Sequence, residues 1–201
     1  MKRVLHLMLR VLMLAIAIFA LYRVLATRVS DSLAHDDPQR ALQWDRRNPD
    51  ALLALAEIQL PTAPDKAART AREVLAKAPL RADAFGFIAQ ALVMTGDVAR
   101  ARDIFAIASR RAPRDTLARA WLIDDQIQQS DFPAALRNID VLYRIAPKLR
   151  PTLLTLLSGK ASQDSVFAKQ LGTFIADTPT WRVDLLNELL ARADIDTVDR
   201  V

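Results

Sequence analysis

Apolar positions in this chain fall into three regimes. From Val11 to Tyr22 twelve residues run without a charge, bounded by Arg10 and Arg23. No polar face interrupts them, so an amphipathic helix is not expected there. From Pro38 to Pro147 the apolar residues recur at helical spacing: Phe85, Ile88, Ala89 and Leu92 stand at i, i+3, i+4 and i+7, one face of a helix. After Pro147 the helical spacing continues without a fixed repeat. There the pattern predicts a helix over LRPTLLTLLSG closed by Ser158-Gly159, a second from Asp164 to Asp177, and a last one opened by Pro179-Thr180-Trp181-Arg182. Val166, Phe167, Leu171, Phe174 and Ile175 mark the second, and Leu185, Leu186, Leu189 and Leu190 the last.

The middle regime has a period. Pro79, Pro113 and Pro147 follow one another at a constant 34-residue interval. Ala67, Ala101 and Ala135 precede them at the same interval, as do Val74, Ala108 and Leu142. A shared register at three kinds of position marks a repeat array, in which each unit buries its apolar face against the next. The copy from Ala82 to Pro113 is the fullest. Gly96-Asp97 breaks its first helix, Gly serving as a left-handed C-cap and Asp as the next start. Ala101, Phe105 and Ala108 line the second helix, small Ala89 and Ala101 allow close approach of the two, and Pro113 ends the pair. In the copy from Thr116 to Pro147, Ser130-Asp131-Phe132 replaces the Gly-Asp turn. Arg119 stands there where a large apolar residue is usual, with Trp121 two positions later. An earlier copy, about Asp50 to Pro79, has its first helix ended by Pro61 and Pro64. PQRALQWDRRNP before it reads as the second helix of a degenerate leading unit.

These large, small and proline positions resemble those of the tetratricopeptide repeat over about residues 38–147, and loosely over 148–192. The resemblance implies an all-α fold, a right-handed superhelix of antiparallel helix pairs, whose concave groove binds a peptide or helix of a partner protein. In such repeats the first helix of each unit lines the groove. Carried over position by position, this points to Asp50, Leu53, Glu57, Phe87, Gln90, Met94, Trp121, Asp124 and Gln128. Two readings of Trp121 stand at this point: a binding hot spot, or core filling the place left by Arg119. The carboxylates read as solvated groove wall or as specific ligands. A narrower similarity is carried by ALQWDRRNPDALLALAEIQL, from Ala41, and TPTWRVDLLNELLA, from Thr178. It is to single-pass bacterial repeat proteins associated with envelope or exopolysaccharide assembly.

The N-terminal segment reads as a membrane anchor. The window Val4 to Ala26 holds 23 residues, about 35 Å as a helix, enough to span a bilayer. Arg10 and Arg23 lie near its ends, where long side chains snorkel, and Tyr22 sits where an interfacial aromatic would. A cleaved signal and a buried helix of a soluble protein are the alternatives. Against cleavage, Ala15-Ile16-Ala17 lies inside the apolar run and Ser32-Leu33-Ala34 lies far beyond it. Lys2, Arg3 and Arg10 tip the orientation towards a cytoplasmic N-terminus, which in a diderm bacterium puts the rest in the periplasm. The expected organisation is an anchor at 1–28, a linker at 29–37, a repeat domain at 38–192 and a tail at 193–201.

Charge and composition narrow the function classes. The net charge is +5. Lys2, Arg3, Arg10, Arg23 and Arg28 account for all of it, and the remainder balances. A concentrated basic face for nucleic acid is therefore not expected. Cysteine is absent and only His6 and His35 are histidines. Thiolate chemistry, disulfides and Cys-based metal sites are excluded. His35 lies in a polar stretch beside Asp36 and Asp37. Asp124 and Asp125 are adjacent on a helix, so they point about 100° apart and cannot converge. Asp194, Asp196 and Asp199 lack the glycine and glutamate of a calcium loop. No Gly-rich phosphate loop occurs. The expectation is a protein with no catalytic residues, cofactor or metal: a membrane-held interaction scaffold. The alternative is a carbohydrate-binding or polysaccharide-synthase-associated module. Trp44, Trp121 and Trp181 would then stack on sugar rings.

Overall fold

The computed structural model describes residues 2–191, with the side chains of residues 2–7 and 9 left aside. The tail at 193–201, with Asp194, Asp196 and Asp199, lies outside the described residues. The described residues form an all-α fold of eleven α-helices: α1 (Lys2–Leu33), α2 (Pro38–Trp44), α3 (Pro49–Gln59), α4 (Pro64–Lys77), α5 (Asp83–Met94), α6 (Val98–Arg111), α7 (Thr116–Gln128), α8 (Phe132–Ile145), α9 (Arg150–Gln163), α10 (Ser165–Ala176) and α11 (Arg182–Ala191). They divide into two compact units, Met1–Val98 and Ala99–Val201. The division falls inside the fullest repeat copy, just after its Gly96-Asp97 turn.

The repeat period is written in the backbone. Ala78, Ala112 and Ala146 each precede a proline. Their N–H groups donate to the carbonyls of Val74, Ala108 and Leu142 at 2.7, 2.8 and 2.9 Å. Each is the last bond of its helix, because a residue before proline is pushed out of the helical region. Ala78 and Ala146 accordingly sit at φ/ψ of −136/77 and −127/74. Ala67, Ala101 and Ala135 are fully buried in α4, α6 and α8. At such positions a larger side chain would overpack the core, at about 1–3 kcal/mol.

In the first unit α1 packs on α2 and α3, α3 on α4, and α4 on α5. α1 does not end where the apolar run ends. It continues through Leu33, and Ala26, Ser30 and Ala34 are buried at four-residue spacing. The stretch expected as a linker, 29–37, is thus helical through Leu33, followed by a short turn in which His35 is exposed. The reason is packing: Ala34, at the end of this face, clusters with Ala41 and Ala51 of α2 and α3. A polar hub around buried Ser30 and Asn48 fastens it. Ser30 Oγ donates to the Ala41 carbonyl at 2.9 Å, and Asn48 Nδ2 donates to Ser30 Oγ and to Asp31 Oδ1, each at 2.9 Å. Asn48 Oδ1 also caps α3 by accepting from the N–H groups of Asp50 and Ala51. The end of α1 therefore serves as the first helix of the leading pair, with α2 as its second.

In the second unit α7 packs on α8, and α9 on both α10 and α11. Leu136, Ile139, Leu142, Leu157, Phe167, Leu171, Trp181 and Leu185 belong to one continuous core. Here two expectations change. α9 is not closed by Ser158-Gly159 but runs to Gln163, where Asp164 caps α10. Leu153, Leu157 and Ala161 are buried at four-residue spacing, and this packing outweighs the roughly 1 kcal/mol that Gly costs inside a helix. In α11, Leu185 and Leu189 are buried while Leu190 is exposed.

Candidate partner-binding faces

Two helices carry candidate positions in the same register, each on a partly exposed face. On α5, Phe87, Gln90 and Met94 stand at i, i+3 and i+7; on α7, Trp121, Asp124 and Gln128 stand one repeat period later. In the first unit Phe87 and Gln90 are half-buried and Met94 is 51% exposed. In the second, Trp121 is half-buried while Asp124 and Gln128 are exposed. Gln128 Nε2 donates to Asp124 Oδ2 at 2.7 Å, tying the two polar groups together one turn apart.

Trp121 is held from beneath. Its ring stacks on Phe105 of α6, centroids 4.4 Å apart and planes 23° off parallel. Such a pair adds about 0.5–1.5 kcal/mol beyond area burial. One ring face is thus packed, and part of the side chain stays accessible beside Asp124. Arg119, in the place of a large apolar residue, lies half-buried under the same helix. It donates to the carbonyls of Ser109 at 3.0 Å and Pro113 at 3.3 Å, and to Asn138 Oδ1 at 3.1 Å. Burial lowers its pKa below the ordinary guanidinium value. These bonds hold Arg119 between α6 and α8.

The other sequence candidates separate. Leu53, one repeat period before Phe87, is buried and belongs to the core. Glu57 is exposed on α3, outside that register. Asp50 is engaged by Arg81, whose Nη1 lies 2.6 Å from Asp50 Oδ1 and whose Nη2 lies 2.7 Å from Asp83 Oδ2. Its bonds to Asp83 and Asp50 hold Arg81 above its ordinary pKa, against the effect of burial. Asp124 and Asp125 diverge as their spacing predicts: Asp124 faces water, and Asp125 is buried. Arg102 Nε and Nη2 grip the Asp125 carboxylate at 2.6 and 2.9 Å, and Gln129 Nε2 adds a third bond at 2.6 Å. The hydrogen bond to Asp125 raises the Arg102 pKa.

Sequence reading missed these partners. Arg81 and Asp50, or Arg102 and Asp125, stand on different helices, and only the fold brings them together. Trp181 is a further case. It is fully buried, stacks on Phe174 with centroids 5.8 Å apart, and donates from Nε1 to Asp140 Oδ1 at 3.2 Å. It is core and offers no surface to a sugar, which corrects its place among the stacking candidates. Among the described residues no three His, Asp or Glu side chains converge as metal ligands would.

No family model and no curated protein matches the chain. Solved structures do. A crystal structure of MamA protein is 13% identical at a TM-score of 0.48, over 89% of this chain and 91% of that one. A structure titled MamA RS-1 ArsTM double mutant is 12% identical at a TM-score of 0.46, over 87% and 96%. Neither bears on what this chain binds.

Proposed function

We propose that this protein is a non-enzymatic scaffold, held at a membrane by α1, that captures a protein or peptide on the accessible stripes of α5 and α7. The stripe Trp121–Asp124–Gln128 carries the reading. An aromatic ring is fixed on one face by Phe105, and exposed hydrogen-bonding groups stand one and two turns along. A rigid, partly exposed Trp beside polar groups is the composition of a binding hot spot. Phe87, Gln90 and Met94 stand at the equivalent positions of the other unit, where exposed Met94 supplies an apolar contact instead. An amphipathic helix or extended peptide is the ligand such a face accepts.

The anchor rests on a second observation. Among the described residues one helix, α1, is long and apolar enough to cross a membrane. Val11, Leu12, Leu14, Ile16, Ile18, Phe19 and Leu21 are all exposed on it, so the chain itself does not cover this helix as a soluble core would. With Lys2, Arg3 and Arg10 on the cytoplasmic side, the units lie in the periplasm of a diderm bacterium. A place in cell-envelope or exopolysaccharide assembly follows from the narrower sequence similarity. The intact chain should stay in membranes through high-salt and carbonate washes; recovery in the wash removes the anchor.

For the stripe, Trp121→Ala should weaken partner capture by about 2 kcal/mol or more while the thermal transition remains cooperative. Normal binding, or early unfolding of the variant, defeats the assignment. The double variant Gln90→Ala, Met94→Ala tests the other face without touching a tryptophan. It should stay folded and bind less.

A further inference from the structure

A cavity of about 440 Å³ opens where the membrane helix meets the turn between α2 and α3. Phe19, Tyr22 and Arg23 of α1 line one side, and Trp44 at the end of α2 with Arg46 and Arg47 of the turn line the other. All six side chains are exposed. Their order along α1 sets their depth. Phe19 lies inside the apolar run, roughly one helical turn or about 6 Å deeper than Arg23, which bounds it. The turn therefore stands at the level where the span ends, not out in solvent. Aromatic rings with a polar edge, as in Tyr22 and Trp44, favour that interface.

The charges converge. Arg23, Arg46 and Arg47 bring three guanidinium groups to one cavity, and among the described residues none is drawn into an ion pair. The acid in the lining, Asp45, is half-buried and accepts the Arg47 N–H through Oδ1 at 3.0 Å. The turn is also fixed in place. Lys77 Nζ donates to the Arg46 carbonyl at 2.9 Å, and Asn48 N–H donates to the Asp45 carbonyl at 3.1 Å. A guanidinium matches a phosphate through paired N–H donors. We infer that this cavity binds the phosphate headgroup of an anionic phospholipid, with its acyl chains along Phe19 and Tyr22 and its charge on Arg23, Arg46 and Arg47.

The inference rests on α1 spanning the bilayer, and the test separates the two. The full chain is reconstituted in nanodiscs of phosphatidylcholine alone or with an equal share of phosphatidylglycerol, and retained lipid is measured by native mass spectrometry. Phosphatidylglycerol should be retained about tenfold over phosphatidylcholine. Arg46→Gln with Arg47→Gln should bring the ratio near one, without loss of helicity by circular dichroism. These side chains are exposed, and the grip of Lys77 is on the main chain. Brominated phosphatidylglycerol should quench Trp44, read as the difference from Trp44→Phe. Insertion with no lipid preference overturns the headgroup site and leaves the anchor standing. Failure to insert overturns both. Displacement by free glycerol phosphate overturns the lipid as the occupant.

Discussion

Ser130 holds a φ of 60°, a region that side chains other than Gly enter at a cost. Its reason is the turn it completes. The N–H of Asp131 donates to the Gln126 carbonyl at 2.8 Å and that of Ser130 to the Ile127 carbonyl at 3.1 Å. One repeat period earlier Gly96, at φ 85°, closes α5 with the same pair of bonds, from Asp97 to Leu92 and from Gly96 to Val93. This is the paired closure of a Schellman turn. Ser130→Gly should therefore stabilise the protein by about 1 kcal/mol, and Gly96→Ala should destabilise it by a similar amount. Thermal unfolding of both variants checks this; a destabilised Ser130→Gly would contradict the shared geometry. The substitution of Ser for Gly was legible in the sequence as a turn. Its positive φ was not, since Ser carries no conformational signature of its own.

Helix bounds were legible where proline, glycine or an acid punctuates the chain. Pro79, Pro113 and Pro147 announce their helix ends, and α3 stops before the Pro61–Pro64 joint. They were misread where packing overrides a local preference. Gly159 lies inside α9, and a methyl group placed on it would meet nothing within 4 Å. Gly159→Ala should then raise stability by about 0.5–1 kcal/mol through helix propensity and a less flexible unfolded chain. A fall in the denaturation midpoint would mean that the glycine is needed for close approach. The continuation of α1 through 29–33 was missed for the opposite reason. Ala26, Ser30 and Ala34 are small and unremarkable in sequence, and their burial follows only from the fold, which sets Ala34 beside Ala41 and Ala51 and bonds Ser30 to the Ala41 carbonyl.

At the scale of the whole molecule, α1 is both the membrane-length helix and the first packed helix of the first unit. The hub of Ser30, Asp31 and Asn48 locks its end to α2 and α3, so the rest of that unit packs directly on the end of this helix. The candidate site was legible only in part. The repeat register pairs Phe87 with Trp121, Gln90 with Asp124 and Met94 with Gln128 at equivalent positions of α5 and α7. It could not separate Leu53, which is core, from its equivalents, because burial depends on what each unit packs against. The engagement of Asp50 by Arg81 was hidden for the same reason. The central claim is that the α5 and α7 stripes meet a protein partner. A photo-cross-linking residue placed at Met94 or Gln128, with Arg137 on exposed α8 surface as the control, tests it in membranes of the source cell. Discrete protein adducts from positions 94 and 128, and none from 137, are the predicted result. Adducts from all three alike, or from 137 alone, would contradict it.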